Sequence, residues 1–455
     1  MIRPPALAVG VGPMNARSAL RVALLCGVLT VTVAAPAAAQ DPPADAPATQ
    51  LRMAIDRVLA EHAFLSIQVM RTGLSGGEAF AAAGDALDEN TDELVAAIDS
   101  IYGEVAADVV DQQWRNHIAY IIDYARALDD NDTGAATLAD SQLQQYVTDF
   151  SAVLSGTAHL PEEVVHGLIN EHVEQLQQVA SFEGAQFGEA YPAIRETYKH
   201  MFMIGDGLAL AIVAEFPDRF TGRNFAFSRA TDLRLDLNRL LGEHTELAAL
   251  AMRASLTNAP DEAAASEALE ANTAELQAAI ATIYGEAAGT AFGTRWRDHT
   301  ELYLDYVSAT KRSNSTAQAA ALRGLRNYTS SFTAFLVSAN PLLSASAFED
   351  LIAEHTDQLV EETDRFSEGD FAGAYATGRE AFAHSGVLAD YLATAIADQF
   401  PELFPDTAYR PGGRDPWLAG VLLSFAAVLV WAWTSSRTPM RGAARRRVSG
   451  RPPRA

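Results

Sequence analysis

Cysteine is almost missing from this sequence. The single one, Cys26, falls in an apolar N-terminal run, so the body of the chain can form neither a disulfide nor a thiolate metal site. Lysine occurs only twice, as Lys199 and Lys311, and arginine carries nearly all the positive charge. Runs of β-branched residues are scarce. Proline and glycine gather near the ends and at a few joints, which leaves long Ala-rich stretches that favour helix over sheet. Acids are absent from residues 1–40 and from everything after 436, so the middle holds 58 acidic against 23 basic residues, a formal charge of −35. A body so acidic repels nucleic acid and anionic headgroups and draws in cations. Gly-rich phosphate loops, nucleophile elbows, Cys/His nucleophiles and paired catalytic carboxylates are also absent, so no motif indicates an enzyme.

The two ends read as targeting segments. Residues 1–39 are expected to be an export signal: Arg17 and Arg21 lead into an apolar run, and Ala37-Ala38-Ala39 offers a small-residue cleavage site. Met14 is an alternative start within it. Residues 40–50 form a Pro/Ala/Asp linker. A second linker spans 405–416, before the uncharged 18-residue stretch 417–434, whose ends are marked by Trp417, Trp431 and Trp433. That stretch is long enough to cross a bilayer, and the basic tail 435–455 predicts a cytoplasmic C-terminus. The sequence therefore predicts a single-pass protein of the cell membrane with an extracytoplasmic body and an envelope protein as a conceivable partner.

The body is one unit written twice. Residues 61–124 align with 243–306 without a gap, and 28 of those 64 positions are identical. Farther on the offset grows from 182 to 184, where Tyr191 meets Tyr375, Arg195 meets Arg379, and Phe216-Pro217 meets Phe400-Pro401. The units span 51–220 and 229–404. Apolar positions recur at three and four residues, the helical spacing. In the first unit they predict helices over 51–73, 90–102, 104–128, 137–155, 162–181 and 186–215. Asn90 with Glu93, Asn272 with Glu275, and Ser346 with Glu349 have the spacing of capping boxes. The expected fold is all-α: two tandem up-and-down bundles, each of four long helices plus shorter ones, followed by one transmembrane helix.

Eight of the ten histidines form matched pairs: His62/His244, His117/His299, His172/His355 and His200/His384. Each member falls near the middle of a long helix, so four imidazoles per unit could meet in one layer whichever way the helices run. Buried imidazoles without partners are costly, and a transition metal such as Zn, Cu, Fe or Ni would satisfy them. Glu61, Glu171, Glu243 and Glu354, each beside a histidine, and Asp206 and Asp390 farther along, are candidates for orienting or supplementary ligands. Three readings stay open: a metal or small-ligand site, a polar layer within a structural or interaction domain, and a heme or redox-metal site. The spacing lacks the Glu-x-x-His pattern of di-iron bundles.

The early Glu-His, the Tyr-Gly joint, the next His, the later Glu-His and the closing Phe-Pro together resemble a family of uncharacterised bacterial helical proteins that carry the pattern in a single copy. The resemblance covers most of 51–404 and implies a helical fold without an assigned activity. That family often has Gln where His200 and His384 stand, a departure that weighs against the four-histidine version of the site more than against a three-histidine one.

Overall fold

A computed structural model describes residues 46–75, 77–182 and 186–405. Thirteen helices make up the described residues, which contain no strand. In the first unit they are α1 (Pro47–Ser75), α2 (Glu78–Tyr102), α3 (Glu104–Asp129), α4 (Thr133–Ala158), α5 (Glu162–Phe182) and α6 (Phe187–Glu215). A single turn, α7 (Arg223–Ala226), leads into the second unit. There follow α8 (Arg229–Thr257), α9 (Glu262–Tyr284), α10 (Glu286–Lys311), α11 (Ser315–Ala339), α12 (Ala345–Glu368) and α13 (Phe371–Gln399).

Several expectations need correction. No helix among the described residues is long and apolar enough to cross a membrane, so the described fold is all-helical and includes no spanning helix. Residues 1–39, 417–434 and 435–455, read as signal, span and tail, lie outside the described residues. The expected division into four long and two short helices also fails: each unit has six helices of 21 to 29 residues. Helix α1 starts at Pro47, inside the expected linker, because proline needs no hydrogen-bonded N–H in a first turn.

The second helix of each unit begins well before the supposed capping box. Asn90 and Asn272 are buried inside α2 and α9, where their amides donate to Val58 O and Leu240 O at 3.0 Å. The Ala-rich segments preceding them propagate helix up to Gly77 and Asp261. In α12 the cap is Ser344, whose hydroxyl accepts from Ala347 N, rather than Ser346. The Tyr-Gly joint is explained by Gly103 and Gly285. Both have φ near 87°, a left-handed turn between two helices that side chains other than glycine rarely tolerate.

Consecutive helices pack on one another around each unit, and α6 closes back onto α1 as α13 does onto α8. The units then interlock, with α13 against α2, α9 against α6, and α1 against α8. As a result α1 is buried on every side from Leu59 to Met70, and α8 from Leu240 to Leu250 and on through Met252. Buried helices of this kind lose the one-sided apolar stripe of a surface helix. Phe64, Ile67 and Met70 of the first unit share one core with Leu247, Leu250 and Met252 of the second. The helices approach so closely here that a Cβ on Gly242 would lie 2.6 Å from the Tyr198 hydroxyl.

Two reciprocal ion pairs bind the units. Arg195 of α6 reaches Glu243 of α8 through two bonds of 2.9 and 3.0 Å, and Arg379 of α13 reaches Glu61 of α1 at 2.9 and 3.2 Å. Each glutamate also accepts from its neighbouring asparagine at 2.8 Å, Asn272 for Glu243 and Asn90 for Glu61. Glu275 and Glu93 complete the sets, at 2.8 and 3.0 Å from the same arginines. Thus Glu61, Asn90, Glu93 and Arg379 form one cluster, and Glu243, Asn272, Glu275 and Arg195 its counterpart.

Candidate metal centres

Three helices of each unit deliver one histidine apiece to a common point. His62 (α1), His117 (α3) and His172 (α5) have ring nitrogens within 4.8 Å of one another, as do His244 (α8), His299 (α10) and His355 (α12). All six are buried. Within each set the first two rings face each other: His117 Nε2 lies 3.3 Å from His62 Nε2, and His299 Nε2 lies 3.3 Å from His244 Nε2. Two nitrogens held at 2.0–2.1 Å on a tetrahedral ion sit about 3.3 Å apart, so this pair already has a chelating separation. The third ring is farther off, with centroids 6.0 Å from His62 and 6.3 Å from His117. Both nitrogens of His172 and of His355 are buried without a hydrogen-bond partner, so no bond opposes a small turn of these rings inward.

The chamber walls are aromatic. Trp114 packs on His62 and His117, with ring centroids 4.6 and 4.9 Å away, and Tyr146 stacks on His117 at 4.7 Å. Trp296 and Tyr328 repeat this around the second set: Trp296 lies 4.9 Å from His244 and 4.5 Å from His299, and Tyr328 lies 5.0 Å from His299. Burial among these rings disfavours imidazolium, and neighbouring imidazoles add to the effect. His62, His172 and His244 are driven well below the ordinary histidine range, chiefly by burial. Burial likewise lowers His117 and His355 to about 4 and His299 to about 3. All six are therefore neutral at pH 7, the form that donates to a metal.

The fourth pair does not join. His200 and His384 are buried, but their Nε2 atoms bond the carbonyls of Leu168 and Leu351 at 2.9 Å. Their Nδ1 atoms face Glu171 and Glu354 at 3.9 and 3.8 Å. The expected four-histidine layer is therefore a triad with a separate His–Glu contact beside it. Lying near the middle of its helix brings a residue to the right height, but the helix's rotation decides whether it points to the centre.

None of the proposed supporting acids joins a triad, although Glu171 and Glu354 do face a histidine of a neighbouring helix, His200 and His384. Glu61 and Glu243 are held by the arginines and asparagines of the interface, while Glu171 and Glu354 are about half exposed. Asp206 pairs with Arg52 at 2.5 Å, and Asp390 with Arg234 at 2.8 Å. Sequence reasoning missed Tyr146 and Tyr328, although their recurrence 182 residues apart was a usable signal. It also missed Ser66, whose hydroxyl lies 3.4 Å from His62 Nε2. The aligned residue is Ala248, so no recurrence marks Ser66.

No family model, curated protein or solved structure matches this chain. The functional reading therefore rests on the two triads, each of which could hold a metal ion.

Proposed function

We propose that the protein binds transition-metal ions, one in each histidine triad, and acts as a metal-holding or metal-delivering protein rather than as an enzyme. The observation that carries this reading is the convergence of three neutral, buried imidazoles from three helices, with both nitrogens of His172 and His355 unpartnered. Each unsatisfied buried group costs about 1–3 kcal/mol, and a bound ion would recover much of that. Zn, Cu, Fe and Ni all accept imidazole donors. The acidic body would raise the cation concentration around the molecule.

A second reading treats each triad as a hydrogen-bonded layer that sets the register of the helices. The 3.3 Å contacts of His62 with His117 and of His244 with His299 favour it. It gives no role to the third histidine of each set. Elemental analysis of the purified chain separates the two readings. Metal in proportion to the triads, lost from a His62→Ala/His244→Ala variant that keeps its helical circular dichroism, supports the first. A chain that takes up no metal through these histidines, and whose melting temperature Zn, Cu, Fe and Ni salts leave unchanged, supports the second.

A further inference from the structure

The surroundings of the triads bear on the charge of the ion. Carboxylates, the usual counter-charges for a divalent metal, stand beside four of the histidines in sequence but not in space. Glu61 and Glu243 are neutralised by Arg379 and Arg195, and the half-exposed Glu171 and Glu354 face Nδ1 of His200 and His384, outside the triads. Neither triad gains an aspartate, glutamate or cysteine as a further member among the described residues. The walls are Trp114, Tyr146 and Phe150 in the first unit and Trp296, Tyr328 and Phe332 in the second.

We propose that both triads are built to hold a monovalent closed-shell ion, copper(I), on three neutral imidazole nitrogens without an anion. This rests on the metal-binding reading above and specifies the ion. The cost of moving a charge out of water rises with its square, so an uncompensated divalent ion in these chambers pays about four times what a monovalent ion does. Zinc also completes a tetrahedron with a fourth donor, from the protein or from water. In the first unit the Ser66 hydroxyl lies 3.4 Å from His62 Nε2, and in the second its place is taken by Ala248. Copper(I) is satisfied by three nitrogens in a plane. Such an ion asks for what both units share, the three histidines, and for nothing in which they differ. With no carboxylate or thiolate joining either triad among the described residues, the sites favour copper(I) over the more highly charged copper(II).

The test uses the full chain under anaerobic conditions. Copper(I), generated with ascorbate, is titrated against a copper(I)-specific chelator, and zinc is added in parallel and in competition. The expected result is one copper(I) per triad, retained in a large excess of zinc. X-ray absorption should show three nitrogen scatterers with the outer-shell pattern of imidazole. Ser66→Ala should change neither stoichiometry nor affinity, and His172→Leu/His355→Leu should abolish binding at both sites. The absorption spectrum of the unaltered chain reports the ligands even if that variant does not fold. Zinc displacing copper from the histidines, or a single divalent ion per chain that Ser66→Ala removes, overturns the selection by charge and leaves the metal-binding reading standing. Absence of any histidine-dependent metal overturns both.

Discussion

His172 and His355 are the side chains at which function and stability pull apart. Buried with neither ring nitrogen partnered, they weaken the metal-free protein. Replacing His172 by leucine, close in size and apolar, is expected to keep or raise the melting temperature of the metal-free chain while removing metal from the first unit. Thermal unfolding with and without added metal measures both effects. The Glu246 carboxyl has a different consequence. Burial pushes it up to about 8, against the attraction of Arg253. The folded chain thus keeps a proton that the unfolded chain releases above about pH 4.5. From there to about pH 8 the folded state binds more protons, so stability falls as pH rises, by up to about 1.4 kcal/mol per unit for this group. Glu246→Gln should flatten that slope, as urea melts across the window will show.

At the level of helices, the joints between units rest on paired charges. Glu243 is fully buried, and two nitrogens of Arg195 hold its carboxylate. Arg195→Ala strands that charge and is expected to cost about 3–5 kcal/mol in denaturant titrations. Arg379→Ala should do the same through Glu61. The double change Arg195→Met/Glu243→Leu should recover most of the loss, because it leaves no buried charge unmatched. These pairings also explain why Glu61, Asn90, Glu93 and Arg195 recur at matching places in the second unit. Each glutamate and asparagine of one unit waits for the arginine of the other. That purpose could not be read from the linear pattern, where Glu61 stood beside His62 and Asn90 had the spacing of a cap. A helical neighbour points about 100° away, and here that turn carries Glu61 from the histidine chamber to the interface.

For the molecule as a whole, the interlock predicts cooperative behaviour. The stretches Leu59–Met70 of α1 and Leu240–Met252 of α8 are buried all round where both units cover them, and residues of both units share one apolar core. Unfolding of the full chain should therefore be a single transition by calorimetry and by circular dichroism, with equal van't Hoff and calorimetric enthalpies. Two separate transitions would show instead that each unit stands alone. The same arrangement places the two triads in separate chambers, each closed by helices of its own unit. Loss of one set of histidines should leave the other set able to bind.

Composition and periodicity determined the helical class, most of the helix ends and the recurrence of one unit, because these follow from local propensity and from the spacing of apolar residues. They also determined which residue type could carry chemistry, since the single cysteine lies in the N-terminal run and histidine recurred. Tertiary structure alone decided which three of four histidines meet, because that depends on the rotation of each helix about its axis and not on position along it. It alone decided that the glutamates beside them serve the contact between units. Burial from every side likewise removed from α1 and α8 the amphipathic pattern by which a sequence announces its partners.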